Sequence, residues 1–168
     1  MEVAYMSDKI KKIAMMGLFL ALTVVATSIL KVPVPTFNLY FHLGETIIYL
    51  SALIFGGVPA AIIGGVGSSL ADLLAGYPMW APITLFIKGI EGFIAGSFAA
   101  KGRAIHGLIF AGLFMIASYA TAAGIIYGVG AIPIEIAGDT LQVSVGALIA
   151  VFLYKRLKNL SFNDEEKF

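Results

Sequence analysis

Six apolar stretches divide the chain, and each is long enough, or nearly long enough, to form a membrane-spanning helix. They cover residues 10–30, 45–57, 59–76, 81–100, 104–128 and 135–154. An α-helix needs about 20 apolar residues to cross the hydrocarbon core, where it satisfies its own backbone hydrogen bonds. The second stretch is short, and Gly56-Gly57-Val58-Pro59 separates it from the third. The pattern predicts an all-α bundle of six transmembrane helices that forms a single domain over residues 1–168.

Lysine and arginine are distributed unequally between the two ends of these predicted helices. Six spans place both termini on one side, together with Lys9, Lys11, Lys12, Lys101, Arg103, Lys155, Arg156, Lys158 and Lys167. Lys31 falls on the other side. Because basic loops remain in the cytoplasm, both termini are predicted to be cytoplasmic. The longest non-helical stretch, Lys31–Gly44, would then lie outside as a structured loop that caps the bundle.

Four ionisable residues lie inside these apolar spans: Asp72, Lys88, Glu91 and Asp139. A charge at membrane depth costs about 2.5–3.5 kcal/mol on insertion scales, so it is retained where it pairs, faces a cavity or has a function. Counting the helical rise from each predicted helix end brings five polar residues to the outer half of the bundle. They are Glu45, Asp72, Lys88, Asp139 and Gln142. Since the inner half has few polar groups, the sequence predicts a pocket open to the outside and closed below.

Each of these groups also has a structural interpretation. Lys88 and Glu91 are three residues apart on one helix and would form an ion pair, with Asp72 as a third partner. In the functional interpretation, Lys88 or Asp72 contacts a ligand. Asp139 has no obvious cation on its own helix, which makes it a candidate ligand contact.

The fifth span carries a further set of polar side chains, Ser118, Tyr119, Thr121 and Tyr127. They would hydrogen-bond a polar, ring-shaped solute. The alternative is structural, because serine and threonine often bond the carbonyls of their own membrane helix.

Small residues form ridges along three of the predicted helices. The third span has Gly64, Ser68, Asp72 and Gly76 at steps of four, and the fourth has Gly92 and Gly96. Such ridges let helices approach closely in lipid, so they predict packing within the bundle. The first span carries Ala14, Gly17 and Ala21 along one face, which would pack inside the fold or dock another membrane protein.

Composition narrows the possible functions. The 168 residues are 60% hydrophobic and only 12% charged, with a mean hydropathy of +0.96, which indicates an integral membrane protein surrounded by lipid. A net charge of +1 without a basic cluster argues against nucleic-acid binding. The chain has no cysteine, no HExxH pattern and no GxxxxGK[ST] loop, so no metal or other cofactor is expected. Uphill transport would therefore need an ion gradient or a partner that hydrolyses ATP.

Several segments together resemble the substrate-binding (S) components of energy-coupling factor (ECF) transporters. The resemblance covers roughly residues 10–155 and is to the riboflavin-type subgroup, which includes carriers of hydroxymethylpyrimidine and pyridoxine. The segments that carry it are Leu43-Gly44-Glu45, Ala52-Leu53-Ile54-Phe55-Gly56-Gly57, Gly64-Gly65-Val66-Gly67-Ser68-Ser69-Leu70-Ala71-Asp72, Gly76-Tyr77-Pro78-Met79-Trp80-Ala81-Pro82 and Lys88-Gly89-Ile90-Glu91-Gly92-Phe93.

This resemblance implies a vitamin pocket near the outer face, built from the later helices and closed by the loop Lys31–Gly44. It also implies a complex with a transmembrane coupling subunit and two ATP-binding subunits, which use ATP in place of this chain. Family members dock through small residues on the first helix. The matching positions here are Gly17 and Ala21, with Ala14 one turn before.

The sequence therefore predicts the substrate-specific subunit of an ATP-dependent vitamin importer in the cell membrane, not an enzyme. The expected substrate is riboflavin, hydroxymethylpyrimidine or a pyridoxine-like compound. Aromatic rings would stack on it, and a few polar groups would orient it. The candidate substrate-binding residues are Asn38, Tyr40, Phe41, Glu45, Asp72, Trp80, Lys88, Tyr119, Asp139 and Gln142. The alternatives are a self-sufficient ion-coupled carrier or channel, a membrane-embedded enzyme that uses Asp72 with His42, and a purely structural subunit.

Overall fold

The chain folds into a bundle of helices with one short hairpin. The computed structural model describes the backbone of residues 2–29, 31–34 and 39–165, and the side chains of residues 9–29 and 42–158. In this part of the chain the elements are α1 (Glu2–Ser28), β1 (Lys31–Val34), β2 (Leu39–His42), α2 (Gly44–Phe55), α3 (Gly57–Ala75), α4 (Ala81–Ala99), α5 (Ala104–Tyr127), a 3-10 turn (Val129–Ala131) and α6 (Ile132–Glu165).

The predicted all-α membrane bundle is confirmed, with six α-helices in the described residues. Five of them are long and apolar enough to cross a membrane, and α2 is a shorter apolar helix. The 12 residues of α2 give a length of about 18 Å, which is less than the hydrocarbon thickness. The cytoplasmic placement of both termini stays a prediction.

The segment before α2 is not only a loop. β1 and β2 pair as antiparallel strands, with Lys31 opposite His42 and Val34 opposite Leu39. The backbone N–H of His42 donates to the Gln142 Oε1 at 2.8 Å. Gln142 lies ten residues beyond Ile132, so this contact is about 15 Å along α6 from its first residue. The strand β2 therefore reaches into the bundle beside α6.

We call the end of the bundle that carries this hairpin the hairpin end. It also carries the α3–α4 turn and the 3-10 turn before α6. The α2–α3 and α4–α5 junctions lie at the opposite end. The sequence predicts that the hairpin end faces outward.

Glycine allows α3 and α4 to pack closely, as the small-residue ridges predicted. A Cβ added at Gly65 would lie only 2.7 Å from the carbonyl oxygen of Leu85. A Cβ added at Gly92 would collide with the carbonyl oxygen of Ala60. The two backbones thus approach to a distance that a larger side chain would prevent.

Two apolar clusters enclose the buried polar residues. One contains Ala95 of α4, Ala111 of α5 and Ala150 of α6, and lies away from the hairpin end. The other lies at the hairpin end and contains Trp80, Ile87, Met115, Tyr119, Ala123 and Ala131. On α4, Lys88 and Glu91 lie between Ile87 of the hairpin-end cluster and Ala95 of the other cluster. The buried acids of α6 lie in the same way between Ala131 and Ala150. This agrees with a polar region that is closed on the side away from the hairpin.

Candidate functional site

A buried lysine with two acidic partners forms the centre of the polar region. The Lys88 ammonium group pairs with the carboxylate of Glu45 and lies 3.1 Å from the Glu91 Oε2. All three residues are completely buried, at 0% exposure. The predicted Lys88–Glu91 pair is confirmed. The further acidic partner is Glu45 of α2, where the sequence suggested Asp72. We call Glu45, Lys88 and Glu91 the charged triad.

Hydrogen bonds extend the charged triad to other elements. Tyr49 donates its hydroxyl proton to the Glu91 Oε1 at 2.7 Å. Gln142 donates from Nε2 to the Glu45 Oε1 at 3.1 Å, while its Oε1 accepts the N–H of His42. The network therefore joins α2, α4, α6 and the hairpin. These side-chain contacts thus fix the positions of the four elements relative to one another.

Aromatic side chains adjoin the charged triad at the hairpin end. The Trp80 ring lies 5.8 Å from the Tyr119 ring and 6.1 Å from the Tyr127 ring, between centroids. Tyr119 donates to the Thr84 Oγ1 at 3.0 Å, and Trp80 Nε1 donates to the Tyr127 hydroxyl at 3.0 Å. The Lys88 Nζ lies 5.3 Å from the centroid of Tyr119, which is cation–π distance. Tyr119 thus connects the aromatic cluster to the charged triad.

Helix α6 adds two more acids beside this region. Glu135 and Asp139 are 5% and 3% exposed, and with Gln142 they occupy one face of the helix, as their spacing predicted. Asp72 of α3 is also buried, at 3% exposure. Asp72 and Asp139 thus lie in the half of the bundle near the hairpin end, and that this half is the outer one stays a prediction.

The structure brings together five of the seven predicted substrate-binding residues whose side chains it describes. Glu45, Lys88 and Gln142 are in direct contact, and Trp80 and Tyr119 adjoin them. Asn38 lies outside the described residues. For Tyr40 and Phe41 only the backbone of β2 is described, so the predictions for their side chains also lie outside. Their substrate contacts stay predictions.

Sequence reasoning missed Tyr49 and Thr84. Tyr49 lies four residues after Glu45, on the same helical face, and this spacing was the available signal. The sequence pattern places Tyr49 within an apolar span. Thr121 follows the structural interpretation, because its hydroxyl bonds the Ala117 carbonyl at 2.7 Å. Tyr127 accepts a hydrogen bond from Trp80.

His42 lies in the hairpin, outside the membrane-spanning helices. Its Nδ1 accepts the backbone N–H of Gly44 at 3.0 Å. Burial and the positive charge of Lys88 lower the pKa of His42 to about 3, although Glu45 opposes this shift. The imidazole is therefore neutral at physiological pH and acts as an acceptor at the start of α2.

The predicted docking residues lie on α1. Ala14, Gly17 and Ala21 are all exposed, and the helix buries little of its surface against the rest of the bundle. A Cβ added at Gly17 would meet nothing within 4 Å. This face is open to a neighbour in the membrane, and its role in docking stays a prediction.

Comparison with known proteins gives the family. The model of the family described as ECF-type riboflavin transporter, S component, matches residues 7–159. The chain belongs to this family. This S component is 31% identical over 148 residues to the thiamine precursor transporter HmpT of Lactococcus lactis subsp. cremoris (strain MG1363), across 88% of this chain and 87% of that protein. It is also 38% identical over 129 residues to an uncharacterized protein of Pyrococcus woesei, across 74% of this chain and 86% of that protein.

A solved structure supports the fold. It is described as the S component of a bacterial ECF transporter and superposes with a TM-score of 0.65 at 22% identity, covering 90% of this chain and 98% of that chain. This S component is a multi-pass membrane protein and a transporter subunit for a vitamin or vitamin precursor, not an enzyme. The family also implies association with subunits of an energy-coupling module.

Proposed function

We propose that this S component captures a small aromatic vitamin or precursor at the hairpin end and delivers it to the cell through ATP-hydrolysing partners. The candidate substrates are riboflavin, hydroxymethylpyrimidine and pyridoxine-like compounds. The observation that carries the proposal is the buried charged triad in contact with the Trp80–Tyr119 cluster. Aromatic surface beside a few fixed polar groups is the usual composition of a pocket for a ring-shaped ligand.

The aromatic cluster and the polar groups of the site would contribute differently to substrate binding. Trp80 and Tyr119 offer ring surface for stacking, which is favourable and not selective among flat heterocycles. Lys88, Gln142 and Asp139 offer donors and acceptors that orient the ring. The contact between His42 and Gln142 places the hairpin against the same groups, so the hairpin would cover a bound substrate.

The energy for uptake would come from partners. The chain has no phosphate-binding loop of the GxxxxGK[ST] type, so ATP is expected to be used by two ATP-binding subunits. A transmembrane coupling subunit would connect them to this chain. The exposed face of Ala14, Gly17 and Ala21 supports α1 as the surface that it contacts.

A fluorescence titration tests substrate binding. Trp80 is the only tryptophan in the chain, so emission from the purified protein in detergent reports on the site itself. With no nucleotide added, we expect one of the three candidate substrates to change this emission, with a dissociation constant in the nanomolar to micromolar range. Equilibrium dialysis of the same wild-type protein separates binding from optical absorption by the ligand. If a full panel of B vitamins and precursors leaves the protein unbound, the proposed substrate class is wrong.

Reconstitution tests the alternative of a self-sufficient carrier or channel. Proteoliposomes that contain only this chain should bind the substrate without accumulating it, under a proton or sodium gradient. Adding the coupling subunit, the ATP-binding subunits and ATP should give accumulation. Uptake by the chain alone would favour the carrier or channel.

A further inference from the structure

Two carboxyl oxygens on α6 are buried without a hydrogen-bond donor. The Asp139 Oδ2 and the Glu135 Oε2 receive no hydrogen bond from any group in the described part of the chain. Both residues are more than nine-tenths buried, at 3% and 5% exposure. Buried acceptors in proteins are nearly always paired, so two unpaired oxygens one helical turn apart need an explanation.

Lys88 does not provide the missing partner. It attracts both acids electrostatically, but its ammonium group is in contact with Glu45 and Glu91. Glu135 and Asp139 also repel each other. The described residues thus bury five acids, with Asp72 among them, and one lysine, Lys88. Among the described residues, no group of three or more His, Asp or Glu side chains is arranged to hold a metal ion.

The unpaired acids lie between the charged triad and the aromatic cluster. Asp139 is three residues before Gln142, which bonds Glu45. Glu135 is four residues after Ala131, which packs in the same cluster as Trp80 and Tyr119. The acids therefore line the stretch of α6 that connects these two groups, where the proposed substrate ring would lie.

We propose that Glu135 and Asp139 accept hydrogen bonds from an exocyclic amino group on the substrate. The site would then select a nitrogen heteroaromatic that carries an exocyclic amine. This inference rests on the proposed function. A carboxyl oxygen that carries no proton accepts hydrogen bonds, and an amino group is a donor that fits it. A ring with a carbonyl oxygen in place of the amine would offer this oxygen no donor and would bind more weakly.

The candidate substrates differ in this feature. Hydroxymethylpyrimidine has an amino group next to a ring nitrogen, whereas riboflavin and pyridoxine have no exocyclic amine. The two carboxylates thus favour the aminopyrimidine.

A pair of ligands that differ in one group provides the test. Binding of the aminopyrimidine is compared with binding of the analogue in which a carbonyl oxygen replaces the amine, by Trp80 fluorescence and by calorimetry. We expect the wild-type protein to prefer the amine by at least about 100-fold. Asp139→Asn and Glu135→Gln should each weaken amine binding about tenfold or more and reduce the preference. Thr140→Val is the control on the same helix, because Thr140 is exposed and its hydroxyl bonds the Ile136 carbonyl at 2.6 Å.

Each outcome has a distinct meaning. Equal affinity of the wild-type protein for amine and carbonyl analogues overturns the inference, and this comparison needs no variant. An unchanged preference in folded Asp139→Asn and Glu135→Gln proteins overturns it as well. Preferential binding of riboflavin or pyridoxine overturns the inference and leaves the proposed function intact. Binding of no vitamin or precursor overturns the proposed function itself.

Discussion

Lys88 is completely buried, and its ammonium group contacts two carboxylates from different helices. Removing these charges from water costs several kcal/mol per ion, which only close pairing offsets. Removing one member of the charged triad is therefore expected to destabilise the protein by more than the net free energy that the ion pairs contribute. The two glutamates would remain buried without their cation.

We expect Lys88→Met to destabilise the protein by about 3–5 kcal/mol, because it leaves Glu45 and Glu91 without a counter-charge. Thermal and denaturant unfolding in detergent measure the effect. Adding Glu45→Gln and Glu91→Gln to the variant should restore part of the lost stability, since the uncompensated charges are removed. Lys101→Met is the control, because Lys101 is exposed in the α4–α5 turn. A Lys88→Met protein as stable as the wild type would contradict a structural role for the pairing.

His42 predicts a pH dependence of stability. Its pKa in the folded protein, about 3, lies below the ordinary value of 6.5, so the unfolded chain binds a proton first as the pH falls. The contribution of His42 to stability is complete above pH 6.5 and is lost progressively towards pH 3. The slope approaches about 1.4 kcal/mol per pH unit.

Unfolding measured in detergent from about pH 7 to about pH 4 checks this dependence on His42. His42→Asn keeps a side-chain acceptor near the Gly44 N–H but does not titrate, so its stability should fall less steeply with acid. His106→Asn, an exposed position on α5, should keep the wild-type slope. Equal slopes in all three proteins would assign the acid sensitivity to other groups.

Part of the site follows from residue type and depth. Glu45, Lys88 and Gln142 could be predicted to meet, because polar groups in an apolar span avoid lipid and helical rise fixes their level. The sequence could not predict that Glu45 is the partner of Lys88, because this pairing depends on how α2 is rotated relative to α4. Tyr49 was missed because its ring is apolar and only the tip of the side chain reveals its role.

At the scale of elements, the contact of α3 with α4 depends on particular glycines. We expect Gly92→Ala to destabilise the protein by about 1–3 kcal/mol, because its Cβ would collide with the Ala60 carbonyl. Gly89→Ala is the matched control on the same helix, as its Cβ would lie 3.6 Å from the Ala61 carbonyl oxygen, an ordinary contact. The control should be neutral or gain up to about 1 kcal/mol from helix propensity. Equal unfolding temperatures of the two variants would show that these helices can separate without loss.

The hairpin was the element that sequence patterns predicted least well. Pro33 and Pro35 argue against strands, because proline removes a ladder donor. In a ribbon of two strands, each strand has one edge that forms no ladder hydrogen bonds, so a proline is tolerated where its missing N–H would face this edge. The depth of β2 within the bundle depends on the His42–Gln142 contact, which joins residues 100 positions apart. No local pattern contains that information.

The exposed face of α1 leads to a prediction about assembly. We expect Gly17→Trp to leave substrate affinity unchanged and to abolish both copurification with the coupling subunit and ATP-driven uptake. The indole would block the close helix approach that small residues permit. Leu22→Trp is the matched control, since Leu22 is 40% exposed and lies about 140° around the helix. A Gly17→Trp protein that still assembles and transports would place the docking surface elsewhere.

For the molecule as a whole, the distribution of charge predicts which end faces outward. The basic residues of α1, of the α4–α5 turn and of the α6 carboxyl-terminal half lie at the end opposite the hairpin. Because basic loops are retained in the cytoplasm, we predict that the hairpin end, with the charged triad and the aromatic cluster near it, faces the outside. An importer requires this orientation, because its binding site must meet the substrate before it enters the cell.

The chain has no cysteine, so single cysteines introduced at either end report this orientation directly. We expect a membrane-impermeant maleimide to label Met79→Cys in intact cells, as Met79 is 52% exposed in the α3–α4 turn. Lys101→Cys and Lys155→Cys, both at exposed positions of the other end, should react only after the membrane is permeabilised. Each variant changes at most one basic residue, so the charge asymmetry that orients the protein remains. Labelling in the reverse pattern would place the proposed binding site on the cytoplasmic side, and the protein could not then act as the capturing subunit of an importer.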